Sequence, residues 1–223
     1  MPIFNAALTA IDLSETRRYA GLNKAEFPNK LLEDACFEAQ MLVQAKGVWE
    51  LYEYNPITST ISASPDYLLT GKKITAYLKE AKKVAVLAVT IGEALEAAIS
   101  EHFSKGNYAY AVLLDAAGTT AVEMAADQMN KAINQQANKL GFNTLSRFSP
   151  GYGDWNITEQ PAVLELAYGQ TIGIQVTESC MLVPRKSVTA VIGFVPTQNV
   201  KDCTRNRCND CIQQNCLARK EDI

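Results

Sequence analysis

Two apolar runs of strand length constrain this chain more than any other feature. Residues 84–90 (VAVLAVT) read as a fully buried strand, and residues 188–195 (VTAVIGFV) as a second, rich in β-branched side chains. Residues 172–177 (IGIQVT) have the same character, and residues 50–61 (ELYEYNPITSTI) alternate like a partly exposed strand broken at Asn55-Pro56. Helical spacing marks the segments between. Helices are expected over 12–20, 30–46, 72–82, 93–103 and 161–168, the last with Pro161 in its first turn. The longest begins between Tyr110 and Asp115 and runs to Leu140, with Gly141 as its stop. Ala116, Ala117, Gly118, Ala121, Ala125 and Ala126 give it a face of small residues that invites close approach by another element or a flat ligand. Helices followed by scattered strands favour an α+β fold over a regular βαβ repeat.

Composition adds boundaries and exclusions. With 223 residues the chain has room for one large domain, or one domain and an appendage. Polar residues and cysteine take over after residue 195, so the expected division is a domain at 1–195 and a Cys-rich tail at 196–223. The 21 Lys and Arg against 24 Asp and Glu leave a formal charge of −3, which gives no global reason to bind nucleic acid or an anionic membrane. The best apolar stretch, 84–92, falls far short of the roughly 18 to 20 residues of a membrane span, and the N-terminus does not read as a signal peptide. A cytoplasmic setting is expected, in which clustered cysteines act as ligands more often than as disulfides. The one histidine, His102, reads as structural and leaves no basis for a His-rich metal site.

Four of the six cysteines crowd the tail, with Cys203, Cys208, Cys211 and Cys216 spaced C-x4-C-x2-C-x4-C. Four thiolates suit zinc or an iron-sulfur cluster, and spacing does not choose between them; disulfides or redox thiols are the alternative. A zinc knuckle for RNA or DNA would use Arg205, Arg207, Arg219 and Lys220, but nearby acidic residues nearly cancel their charge. Cys36 lies within a helical apolar pattern and reads as core, whereas Cys180 stands at a strand end.

The segment Arg147-Phe148-Ser149-Pro150-Gly151-Tyr152-Gly153-Asp154-Trp155 carries the most chemistry. A guanidinium ahead of a glycine turn can hold a carboxylate bidentately, Gly151 lets a ligand approach the backbone, and Tyr152 adds a flat wall with a polar tip. A surface turn with packed Tyr and Trp explains the same pattern without a ligand.

RFSPGYGDW, followed by a short helix and TIGIQVTESCMLVPRKSVTAVIGF, resembles the activation domain of cobalamin-dependent methionine synthase, especially free-standing relatives of it. The likeness runs from about residue 8 to residue 195 and is most specific at Arg-x-x-Pro-Gly-Tyr, the Thr-Glu-Ser turn and Pro-x-x-Ser-Val; VLAVTIG and LLDAAGTTAVEMAADQ add to it. It implies a mixed, largely antiparallel sheet wrapped by helices, and a protein that binds S-adenosylmethionine. Such a protein supports the reductive methylation of cobalamin, in which one electron and the methyl of S-adenosylmethionine restore methylcobalamin. By motif, Arg147 would take the ligand carboxylate, Ser149, Gly151 and Tyr152 would contact the nucleoside, Asp12 would meet the ammonium, and Glu123 would face the ligand and the cobalamin.

Departures from the family shape the rest of the expectation. Phe148 and Ser149 stand where methionine synthase has Pro and Ala, and Gly153 replaces a proline, which loosens the loop. The cysteine tail has no counterpart in the fused enzyme, and no cobalamin-binding module accompanies the domain. The resemblance therefore implies action in trans on a separate methionine synthase or corrinoid protein, with a low-potential electron donor. An iron-sulfur cluster in the tail would be placed to relay that electron. The competing reading is a non-catalytic adaptor or S-adenosylmethionine sensor that docks to a corrinoid protein.

Overall fold

A computed structural model describes residues 2–23 and 25–197. Along the chain run β1 (Phe4–Asn5), α1 (Leu13–Tyr19), α2 (Asn29–Leu42), β2 (Lys46–Asn55), β3 (Thr60–Ile61), β4 (Tyr67–Leu68), α3 (Lys72–Tyr77), β5 (Lys83–Thr90) and α4 (Ala94–Ser104). They are followed by α5 (Tyr108–Lys139), β6 (Phe142–Thr144), α6 (Gln160–Leu166), β7 (Gln175–Val176), β8 (Leu182–Val183) and β9 (Ser187–Pro196). The sheet runs β4-β3-β2-β5-β9-β6, with β1 on β2 and a separate β7-β8 hairpin. Each of these ladders is antiparallel, so the α+β class and the largely antiparallel sheet are as expected.

Both apolar runs lie side by side at the centre, with Val86 opposite Val191 and Ala88 opposite Thr189. Side chains alternate between the two faces of a strand. Ala85, Leu87 and Val89 of β5, with Ala190, Ile192 and Phe194 of β9, therefore pack into one core with α4 and α5. Val84, Val86, Ala88, Val191 and Val195 enter a second core with Ile74, Leu78, Trp155, Val163 and Leu164. Helices or buried loops thus cover both faces. A strand with no polar face has no other way to be shielded from water.

Local chemistry sets the ends of the elements. Asp12 caps α1 by accepting from the Glu15 amide at 3.0 Å, with Glu15 in the first turn and Arg17 and Arg18 in the last. The small face of α5 is filled by protein: Ala117, Ala121, Ala125 and Ala126 are fully buried against the sheet and neighbouring helices. That outcome answers the question of a flat ligand in favour of helix packing.

Several expectations shift, among them the helix expected over 72–82, which ends at Tyr77 with Leu78 as its C-cap. α2 ends at Leu42 rather than Lys46, because Val43 is extended and Gln44 N–H donates to Ile91 O at 2.9 Å, which starts β2 early. The 50–61 segment is a hairpin: Asn55 Oδ1 accepts from the Ile57 amide at 3.0 Å and turns the chain at Pro56. The expected strand at 172–177 shortens to Gln175–Val176, since Gly169–Ile172 winds into a 3-10 turn closed by Gly173 at φ 85°.

The Cys-rich tail and its candidate ligands Cys203, Cys208, Cys211 and Cys216 lie outside the described residues. Among the described residues no three His, Cys, Asp or Glu gather as metal ligands, and no helix is long and apolar enough to cross a membrane.

Candidate functional site

The long helix α5 supplies one wall. Asp115, Thr119, Glu123 and Asp127 recur every four residues, which places them in one stripe along the helix. Each end of the stripe meets a cation from another part of the chain. Lys186 Nζ contacts Asp115 Oδ1 at 2.9 Å and donates to Thr119 Oγ1 at 2.8 Å. Arg147 Nη2 lies 3.1 Å from Glu123 Oε2 and 2.8 Å from Asp127 Oδ1.

Arg147 is held there by the strand beside it. Phe148 forms a two-way bridge with Val191 of β9, its N–H donating at 3.0 Å and its carbonyl accepting at 2.8 Å. The Phe148 ring packs near Trp155 and Tyr77, at centroid distances of 6.2 and 5.7 Å. Backbone pairing to a central strand thus fixes the position from which the guanidinium reaches α5. Its side chain is only 7% exposed, and burying a cation is tolerable where carboxylates pair with it.

The loop beyond is a wound turn. Tyr152 N–H donates to Ser149 O at 3.2 Å, and Gly151 N–H donates to Trp155 O at 2.8 Å. Gly151 and Gly153 have φ of 88° and 63°, a region that glycine enters without steric cost. Pro at 153 is excluded by that geometry, because its ring locks φ near −65°. Asp154 braces the turn from below: its carboxylate accepts from the Lys72 and Lys73 amides at 3.0 and 2.9 Å, capping α3 from a distant part of the chain. The Lys73 N–H, foremost, holds the Asp154 carboxyl below the usual carboxylate range. Trp155 is buried in the second core, while Gly151 and the Tyr152 ring face solvent.

The sequence-selected residues therefore divide into groups. Glu123 and Arg147 are in direct contact. Ser149, Gly151 and Tyr152 follow on the same loop, with Ser149 half-buried and Tyr152 58% exposed. Asp12 stands at the start of α1, where Ser14 Oγ donates to its Oδ1 at 2.7 Å and the Glu15 amide to the same oxygen. α1 is fastened to α5 one turn later, by Thr16 Oγ1 donating to Thr120 Oγ1 at 3.0 Å. At the far end of α1, Tyr19 feels the site. Burial first, and the Glu123 charge among the lesser causes, push its phenol up.

Asp127 was not among the residues selected from the sequence. Its signal was its position four residues after Glu123 on a helix, which places both on one face.

Other features stay outside the site. The His102 ring packs against Tyr110 at a centroid distance of 4.6 Å, tilted by 54°, and lies 3.3 Å from Glu38 Oε1, joining α4, α5 and α2. Cys36 is buried, its thiol pushed up by that burial, and Cys180 sits at φ 62° in the Thr177–Met181 turn. Two open grooves of about 460 and 360 Å³ run past Glu38, His102 and Tyr108, and past Leu22, Phe27 and Val112. Neither is lined by Arg147 or the loop that follows it. Convergent charge, rather than depth, marks the candidate site.

An antiparallel sheet covered on both faces, with a buried guanidinium paired to a long helix just ahead of a glycine loop, defines the α+β class of this domain. Its fold is that of the MetH reactivation domain. A crystal structure of that domain bound to AdoHcy superposes with a TM-score of 0.60, covering 94% of this chain and 83% of the other at 14% sequence identity. No family model and no curated protein sequence matches the chain.

Proposed function

We propose that the chain binds S-adenosylmethionine and supports reductive methylation of cobalamin held by a separate methionine synthase or corrinoid protein. The observation that carries this reading is the Arg147–Glu123 pair at the head of the glycine loop, on a fold whose structural neighbour was solved with AdoHcy. Arg147 would hold the ligand carboxylate, Glu123 and Asp12 its ammonium, and Ser149, Gly151 and Tyr152 the nucleoside. Asp12 would have to serve the ligand while also capping α1.

No side chain in this site need move a proton. A methyl leaving a sulfonium for a reduced cobalt requires alignment and exclusion of water, so proximity and orientation are the protein's contribution. The cobalamin would be the partner's. A metal at Cys203, Cys208, Cys211 and Cys216 would serve the low-potential donor as a relay if it is an iron-sulfur cluster, and order the tail if it is zinc.

Calorimetry with S-adenosylmethionine on protein purified without oxygen tests the reading. Wild type should bind, and Arg147→Ala should lose about 1.5–3 kcal/mol, the scale of a hydrogen bond to a charged group. Equal binding by both proteins would remove Arg147 from the site. If the ligand binds but methylcobalamin does not form in a mixture with a corrinoid protein and reductant, the protein is a sensor or adaptor instead.

A further inference from the structure

The proposed ligand role of Arg147 leaves Asp127 unexplained. Both Glu123 and Asp127 approach the same guanidinium nitrogen, Nη2, and Asp127 is the nearer at 2.8 Å against 3.1 Å. Their exposures differ: the Asp127 side chain is 66% exposed and that of Glu123 39%, while Arg147 is 7%. Two carboxylates four residues apart on a helix repel one another, so the guanidinium between them is what makes the arrangement favourable. A carboxylate entering on Arg147 competes for that nitrogen. The carboxylate that leaves most readily is the one that regains water, since an exposed ion pair contributes little.

We propose that Asp127 is an exchangeable counter-ion: it neutralises the buried Arg147 while the site is empty and gives up Nη2 to the carboxylate of an incoming amino-acid ligand. Glu123, more enclosed, stays in place for the ligand's ammonium. This rests on the ligand-binding reading above and adds a residue that sets affinity by competition. Because a carboxylate replaces a carboxylate, Arg147 keeps an anionic partner throughout, and an uncharged group at the same end of a ligand could not displace Asp127 on equal terms.

The test uses the full chain and the conservative variant Asp127→Asn, which removes the charge from a mostly exposed side chain. S-adenosylhomocysteine should bind the variant about two- to five-fold more tightly than wild type, the range set by losing one exposed competing ion pair. Unchanged or weaker binding would overturn the inference. A second readout does not depend on a nucleoside: the Arg147 guanidinium NMR resonances titrated with acetate should respond at lower acetate in the variant. Identical acetate titrations would also overturn it. If neither protein binds S-adenosylhomocysteine but the acetate midpoints differ as expected, the ligand assignment fails and the counter-ion role stands.

Discussion

Gly118 of α5 and Leu95 of α4 meet so closely that a methyl on Gly118 would stand 2.4 Å from Leu95 Cδ2. Leu95 is fully buried, which leaves its side chain little room to withdraw. Replacing glycine within a helix ordinarily gains up to about 1 kcal/mol. Here the overpacking, about 1–3 kcal/mol, outweighs it. Gly118→Ala should lower the urea midpoint, and Leu95→Ala in the same chain should relieve part of the clash. A midpoint equal to or above wild type for the single variant would show that α4 can shift away without cost.

Asp154 links the glycine loop to α3 through a charge. Its carboxyl is held below the usual range by the Lys73 and Lys72 amides, so the folded state prefers the ionised form. The stabilisation is present above the unfolded value, about 3.9, and is lost as pH falls through the lower folded value. Melting of wild type and Asp154→Asn should therefore differ most at neutral pH, and the difference should shrink as acid takes the pH below the usual carboxylate range. A difference that persists undiminished in acid would mean that hydrogen-bond geometry, not charge, secures α3.

The spacing of Cys203, Cys208, Cys211 and Cys216 predicts a single four-thiolate metal site. Elemental analysis of protein purified without oxygen should find zinc, or iron with acid-labile sulfide, and Cys211→Ser should reduce its occupancy. Visible colour separates the two metals, because zinc thiolates are colourless. A metal-free wild-type protein sinks the expectation and leaves disulfide or redox chemistry for these thiols.

What the sequence disclosed follows from how far each signal reaches along the chain. β5 and β9 were legible because their unbroken apolar runs suit only a buried environment, and the alternation of Val84, Ala85, Val86 and Leu87 between two cores is the structural form of that fact. Of the two-residue strands, β7 lies inside the strand expected at 172–177, whereas β8 exists through its pairing with β7, at Gln175 with Val183 and Val176 with Leu182, and had no local pattern of its own. α5 begins at Tyr108, earlier than its apolar rhythm suggested, because its first turn leaves Tyr108 largely exposed and full burial starts only at Ala111. At the site, Arg147 was selected first from the chemistry of its own segment and Glu123 through family likeness alone. Their contact, and the arrival of Asp127 at the same nitrogen, depend on the Phe148–Val191 bridge that docks the loop, a tertiary event with no sequence signature.

The acidic stripe of α5 has a consequence for tolerance to change. Lys186 and Arg147 come from different stretches of chain, yet both are fastened to one uninterrupted helix, at Asp115 and Glu123. Eight residues at 1.5 Å each set those anchor points roughly 12 Å apart along the axis. The interval belongs to the helix, as marks belong to a ruler. Substitutions in the two loops that carry Arg147 and Lys186 would change what those loops present to solvent without altering the separation of their anchor points on the helix.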